Sequence, residues 1–201
     1  MKLFGSKTSP YVRKVRIQAL EGGYSDKIEF IELGTAPTDP AAAIPNPIKK
    51  VPCLQLDDGM VLFDSRVICE YLDAECGDGA AFPADGTARW TALRGQALGD
   101  GLLDAALLLR YETFARPAEL CWDAWCTGQT VKIDGALADL EAHADDFGGR
   151  VDIGTITIGC SLGYLDFRYP DKGWRDTYPA LARWYAEFSA RPSMTETVPP
   201  V

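Results

Sequence analysis

Residues 51–65 read Val-Pro-Cys-Leu-Gln-Leu-Asp-Asp-Gly-Met-Val-Leu-Phe-Asp-Ser. Two short apolar runs, residues 51–56 and 60–63, flank Asp57-Asp58-Gly59, a turn whose glycine accepts a positive φ, so the stretch predicts a β-hairpin. Asp64-Ser65 stands where a helix opens, and Val67, Ile68, Tyr71 and Leu72 give that helix its apolar face. Proline so close to a strand start indicates either a cis bond or a strand at a sheet edge.

Upstream of the hairpin, residues 1–5 form an apolar run suited to a buried strand. Ser9-Pro10 supplies an N-cap and a first-turn proline for a helix bearing Val12, Val15, Ala19 and Leu20, which Gly22-Gly23 stops. Residues 27–33 alternate as a strand, and a proline-rich segment leaves room for a short helix over 38–44 before Pro45 and Pro47. The order is β-α-β-α-β-β-α within about 75 residues, the size of a small domain.

Downstream, the pattern changes to helix throughout. Residues 79–86 read as a linker between a first domain at 1–78 and a second, all-helical bundle domain at 87–201. Trp90, Leu93, Ala97, Leu98, Leu102, Ala105, Leu108 and Leu109 mark one long amphipathic helix, and further helices are expected over 120–147, 156–167 and 179–190. The segment from Pro192 reads as a loosely ordered tail.

Composition narrows the function classes. With 47% apolar and 24% charged residues the chain has the make-up of a folded globular protein, and disorder is excluded. Lys and Arg total 20 against 29 Asp and Glu, a net charge of −9 that argues against a surface tracking nucleic-acid phosphates. No apolar run approaches the roughly 20 residues of a membrane span. Ser6, Lys7, Arg13, Lys14 and Arg16 interrupt any signal-peptide core, so a cytoplasmic location is expected. His143, the single histidine, reads as a helix-surface residue, and no metal site is expected. None of the six cysteines forms a C-x-x-C pair. On a continuous helix Cys121 and Cys126 would point about 140° apart, which weighs against dithiol chemistry.

The chemistry-bearing segments are three, far apart in sequence and brought together by this element order. Ser9-Pro10 opens a helix whose positive end stabilises an anion, a thiolate above all, because thiol pKa falls at helix N-termini. A cis Val51-Pro52 would expose the Val51 backbone to an extended peptide. Asp64 can take an ammonium group and Ser65 a carboxylate. Each also has a plain structural reading, as an N-cap, an edge-strand start and a capping pair.

The runs 9–15 (Ser-Pro-Tyr-Val-Arg-Lys-Val), 46–54 (Asn-Pro-Ile-Lys-Lys-Val-Pro-Cys-Leu) and 64–72 (Asp-Ser-Arg-Val-Ile-Cys-Glu-Tyr-Leu) together resemble cytosolic glutathione transferases. The resemblance extends over nearly all the chain. It implies a thioredoxin-like N-terminal domain, a helical C-terminal domain, and commonly a homodimer with no nucleic-acid or membrane partner. It further implies that Ser9 hydrogen-bonds the sulfur of glutathione, the co-substrate, and favours its thiolate, as in serine-type branches. Val51 beside cis-Pro52 would pair with the cysteinyl unit, Asp64 and Ser65 would bind the γ-glutamyl end, and Lys50 would approach the glycyl carboxylate. A small hydrophobic electrophile would lie between the domains, against Tyr11, Leu103, Leu107, Tyr111 and Tyr164, with Trp122 and Trp125 able to line or fill a pocket. Conjugation is the leading expectation. Isomerisation, dehalogenation, ether cleavage and a non-catalytic binding or scaffold role are the alternatives.

Two departures stand out. Thiol-transfer branches carry Cys where this chain has Ser9, which removes the nucleophile for mixed-disulfide chemistry. The family's helical-domain capping box, aligned on Thr157 and Cys160, has Cys in place of an acid, so a weakened cap is expected there.

Overall fold

The computed structural model describes residues 1–34, 36, 38, 43–77 and 79–200. Strands β1 (Lys2–Gly5), β2 (Glu29–Glu32), β3 (Cys53–Gln55) and β4 (Val61–Phe63) form one sheet in the order β2-β1-β3-β4. β1 and β2 are parallel and connected through helix α1 (Pro10–Glu21); β3 is antiparallel to β1, and β4 to β3. Helix α2 (Ser65–Glu75) follows β4 directly. Leu3 and Leu54, opposite one another in β1 and β3, join Val15 and Ala19 of α1 and Ile68, Cys69 and Leu72 of α2 in one core. The short helix expected over 38–44 lies largely outside the described residues.

The remainder is helical: α3 (Gly86–Arg110), a π-helical turn (Tyr111–Ala115), α4 (Asp123–Ala142), α5 (Ala144–Phe147), α6 (Ile153–Arg168), α7 (Trp174–Thr177), α8 (Pro179–Ser189) and α9 (Pro192–Thr195). The single helix expected over 120–147 is therefore two, broken at His143, an exposed residue that caps α4. α3 and α6 approach backbone to backbone. A Cβ on Gly154 would lie 2.7 Å from the Ala92 carbonyl oxygen, so only glycine permits the crossing, and Ser161 Oγ donates to the Gly99 carbonyl at 2.9 Å. Among the described residues no helix is long and apolar enough to cross a membrane.

α1 is buried on two sides. Val15 and Ala19 belong to the core under the sheet, whereas Ile17 belongs to the helical core. Arg13, Lys14 and Gln18 are buried as well, which explains why the sequence shows a narrower apolar face than the structure buries. Buried polar groups need partners, and these find them except at Gln18 Oε1, which has no hydrogen-bond partner. Arg13 Nη2 donates to the Met194 carbonyl at 3.0 Å and Nε to Thr197 Oγ1 at 3.3 Å, while Gln18 Nε2 donates to the Cys69 carbonyl at 2.9 Å.

Three expectations are corrected here. The segment after Pro192 is ordered, with Met194 and Thr197 buried, because it supplies acceptors to the Arg13 guanidinium. The helical-domain capping box lies at Asp152 and Thr155: Thr155 N–H donates to Asp152 Oδ1 and Asp152 N–H to Thr155 Oγ1, both at 3.0 Å. α6 thus starts a turn earlier than the apolar run suggested. Thr157 lies inside it, with Oγ1 donating to the Ile153 carbonyl at 2.6 Å, and Cys160 is a core residue with no cap to weaken. Lastly, Cys121 precedes α4 and is not part of a continuous helix with Cys126. Their sulfurs lie 3.7 Å apart.

Candidate functional site

Sheet register brings the end of β1, which leads to Ser9, to the same end of the sheet as the start of β3 and the end of β4. Phe4 pairs with Cys53 across β1 and β3, and Cys53 with Phe63 across β3 and β4. Continued by one position, the same register would set Pro52 between Gly5 and Asp64. The C-terminal end of β1, the start of β3 and the start of α2 thus share one end of the sheet. The Val51–Pro52 bond is cis, and β3 is an internal strand, which decides between the two readings of the proline. The preceding turn is shaped by Asn46, whose Nδ2 donates to the Lys50 carbonyl at 2.7 Å and whose Oδ1 accepts from Ile48 N–H at 3.0 Å. Lys49 there takes a left-handed φ of 54°.

Ser9 is the N-cap of α1, and its Oγ accepts from Val12 N–H at 3.3 Å. With that lone pair engaged, the hydroxyl hydrogen is available to donate. Pro10 has no N–H and Val12 has spent its own, so Tyr11 offers the remaining first-turn backbone donor beside Ser9. Hydroxyl, backbone N–H and helix end together form an anion-favouring corner.

Asp64 caps α2 in a backbone conformation rare for a non-glycine residue, with φ 69°. Its Oδ1 accepts from Arg66 N–H at 2.9 Å and Arg66 Nε at 3.2 Å, and its Oδ2 from Arg66 Nη2 at 2.9 Å. The Arg66 side chain, above all, holds the Asp64 carboxyl below the usual carboxylate range. Arg66 Nε also lies 4.0 Å from Asp100 Oδ2 on α3, and Asp100 Oδ1 pairs with Lys14 Nζ at 2.7 Å. Lys14 is fully buried. Burial pushes Asp100 up and the Lys14 charge opposes it. A chain of charges, Asp64–Arg66–Asp100–Lys14, therefore ties α2 to α3 and α1 behind the site.

The remaining sequence-predicted residues are distributed unevenly. Lys50 is exposed on the turn before cis-Pro52, and Ser65, buried, is the first residue of α2. Tyr11 donates its hydroxyl to Asp104 Oδ1; burial first, then that hydrogen bond, push its pKa up, so it stays a neutral phenol. Leu107 packs partly buried against the helical core and Tyr111 is exposed on the π-helical turn. Leu103 and Tyr164 are inside the core rather than on an open wall, because α3 is packed by both α4 and α6. Trp122 and Trp125, exposed, stack on each other 6.5 Å apart. Sequence reasoning missed Arg66, Asp100, Asp104 and Lys14. Their partners are up to 93 residues distant, and no local pattern marks such pairs.

Comparison with known proteins places this geometry. The family model for the glutathione S-transferase N-terminal domain matches residues 8–75 and that for the C-terminal domain residues 113–187. The chain is also 36% identical to YibF, an uncharacterized GST-like protein of Escherichia coli (strain K12), over 100% of its own length and 99% of that protein's. The chain belongs to the glutathione S-transferase family. Among solved structures, a glutathione transferase family member from Pseudomonas fluorescens Pf-5 with bound glutathione is 46% identical, with a TM-score of 0.97 over 100% of this chain and 99% of that one. A glutathione S-transferase from Methylobacillus flagellatus KT with glutathione bound is 36% identical, with a TM-score of 0.88 over 99% of each chain. The transferase fold and the family expected from the three N-terminal segments are thus established.

Proposed function

We propose that this transferase binds reduced glutathione at the shared end of the sheet and, through Ser9, stabilises its thiolate for attack on a small hydrophobic electrophile. The observation that carries the reading is that the end of β1 leading to the Ser9 cap of α1, the cis-Pro52 before β3 and the Asp64 cap of α2 lie at one end of the sheet, in a chain similar to a glutathione-bound relative. Val51, immediately before the cis bond, pairs with the cysteinyl unit. Asp64, kept ionised by Arg66, takes the α-ammonium of the γ-glutamyl end, and Ser65 its carboxylate at the start of α2. Lys50 reaches the glycyl carboxylate. The tripeptide is an anion in a protein of net charge −9, so these local donors and helix ends must do the binding.

The electrophile meets the sulfur beside Tyr11, Leu107 and Tyr111, which present ring and methyl surface rather than a second acid. The protein acts in the cytoplasm as a homodimer, the latter checked by sedimentation against the single-chain mass.

Titration of the bound glutathione thiol by ultraviolet absorbance in the wild type and Ser9→Ala tests the proposal. Loss of a hydrogen bond to a charged group removes about 1.5–3 kcal/mol, so the thiol pKa should rise by one to two units and conjugation of a model electrophile should fall about 10- to 100-fold. Glutathione held equally well with unchanged thiol pKa and rate would remove Ser9 from the mechanism. Retained binding with no turnover of a panel of electrophiles would favour a binding protein of the same fold.

A further inference from the structure

Cys121 and Cys126 form a second reactive cluster, outside the glutathione site. Trp122 is the N-cap of α4, so Cys121 stands just before the cap and Cys126 is the fourth helical residue. Two apolar side chains often pack across a helix start at those positions, fixing the direction from which the chain arrives. Here two thiols occupy them, both half-buried, with sulfurs 3.7 Å apart. The surrounding backbone holds them in place: Trp122 N–H donates to Glu112 Oε1 at 3.0 Å, Arg116 Nε to Glu112 Oε2 at 2.9 Å, and Cys126 N–H to the Trp122 carbonyl at 3.1 Å.

The other cysteines differ. Cys53, Cys69 and Cys160 are buried, and burial pushes Cys69 up to about 12 and Cys160 up to about 11, where thiolate is scarce. Cys76 is half-buried, and the closest sulfur contact among the described residues is the one between Cys121 and Cys126.

We propose that Cys121 and Cys126 are a dithiol–disulfide couple, closed by exchange with a small-molecule disulfide into a covalent staple across the start of α4. In the first step one thiolate attacks the small disulfide, forming a mixed disulfide and expelling one small thiolate, which takes up the proton released. In the second, the neighbouring thiolate attacks the protein sulfur of that mixed disulfide, its own proton passing to the second small thiolate that leaves. The protein loses two hydrogens, and one small disulfide becomes two thiols. Partial burial, then the contact with Cys121, push the Cys126 thiol up, so the exchange is run at mildly alkaline pH. The proposal is independent of the role given to Ser9.

The test incubates the intact protein with oxidised glutathione, alkylates free thiols and digests with trypsin. Because Pro117 protects Arg116 from cleavage, residues 111–132 form one peptide that carries Cys121 and Cys126 and no other cysteine. The expected product is this peptide unalkylated and lighter by two hydrogens, reverting with reductant, together with quenched fluorescence from the adjoining Trp122 and Trp125. Cys126→Ser should stop the reaction at a stable glutathione adduct on Cys121. Full alkylation of both thiols, two separate glutathione adducts on them, or a disulfide joining two chains would each overturn the proposal.

Discussion

Replacing Lys14 by Met probes the buried charge chain behind the site. At 2.7 Å the Lys14–Asp100 attraction amounts to about 6 kcal/mol at an effective dielectric near 20, and desolvating two ions costs several kcal/mol each. The pair therefore nearly breaks even, whereas either partner alone is a liability. In Lys14→Met, Asp100 is left buried, with its Oδ2 already lacking a hydrogen-bond partner, and its cheapest escape is to take up a proton. Protonating a carboxyl that titrates near 3.9 when unfolded costs about 4 kcal/mol at pH 7 and about 1.5 kcal/mol at pH 5. The sign follows from linkage. A carboxyl whose folded pKa is raised gives stability that is present at low pH and lost as pH rises, so the variant's deficit should grow by about 1.4 kcal/mol per pH unit over that window. Urea unfolding followed by tryptophan fluorescence at several pH values measures it. Lys14→Met/Asp100→Leu should recover to within about 1 kcal/mol of the wild type. A deficit that is flat from pH 5 to 7, or a double variant weaker than both single ones, would refute the reasoning.

Four further substitutions test the helical half. Gly154→Ala must push α3 and α6 apart at the Ala92 carbonyl and should cost about 1–3 kcal/mol, lowering Tm by about 2–4 °C for each kcal/mol. Gly101→Ala, on the open side of α3 with nothing within 4 Å of the new Cβ, should instead stabilise by up to about 1 kcal/mol. Asp152→Ala removes the α6 cap and should cost about 1 kcal/mol or somewhat more, while Thr157→Val, which deletes only a bond within the helix, should cost less in the same thermal melts. The reverse order would return the cap to Thr157.

The hairpin, the caps of α1 and α2 and the cis proline were legible because their signals are local: turn glycine, caps and proline each act within a few residues. Register then did the rest, since one pair of hydrogen-bonded neighbours fixes where Pro52 and Asp64 must lie. What escaped reading depends on contacts between distant residues. Nothing near Lys14 says that it is buried, because its partner Asp100 lies 86 residues on. Leu103 and Tyr164 looked like pocket candidates because sequence does not tell how many helices cover α3. The cap of α6 was misplaced by an apolar run that starts inside the helix, and the Cys121–Cys126 angle by assuming one helix where the chain has a cap between the two thiols.

The seating of Arg13 carries a consequence for how the protein is made. Its guanidinium is satisfied by Met194, 181 residues downstream, and by Thr197, 184 downstream. On the ribosome α1 emerges early, yet the acceptors that let it be buried emerge with the last stretch of this sequence. Closing so wide a loop is entropically slow, so the nascent N-terminal half must wait with a bare cation between its two future cores. Docking of 193–197 is then the act that locks the helix carrying Ser9, and the N-terminal corner of α1 is completed late in folding rather than with its own domain.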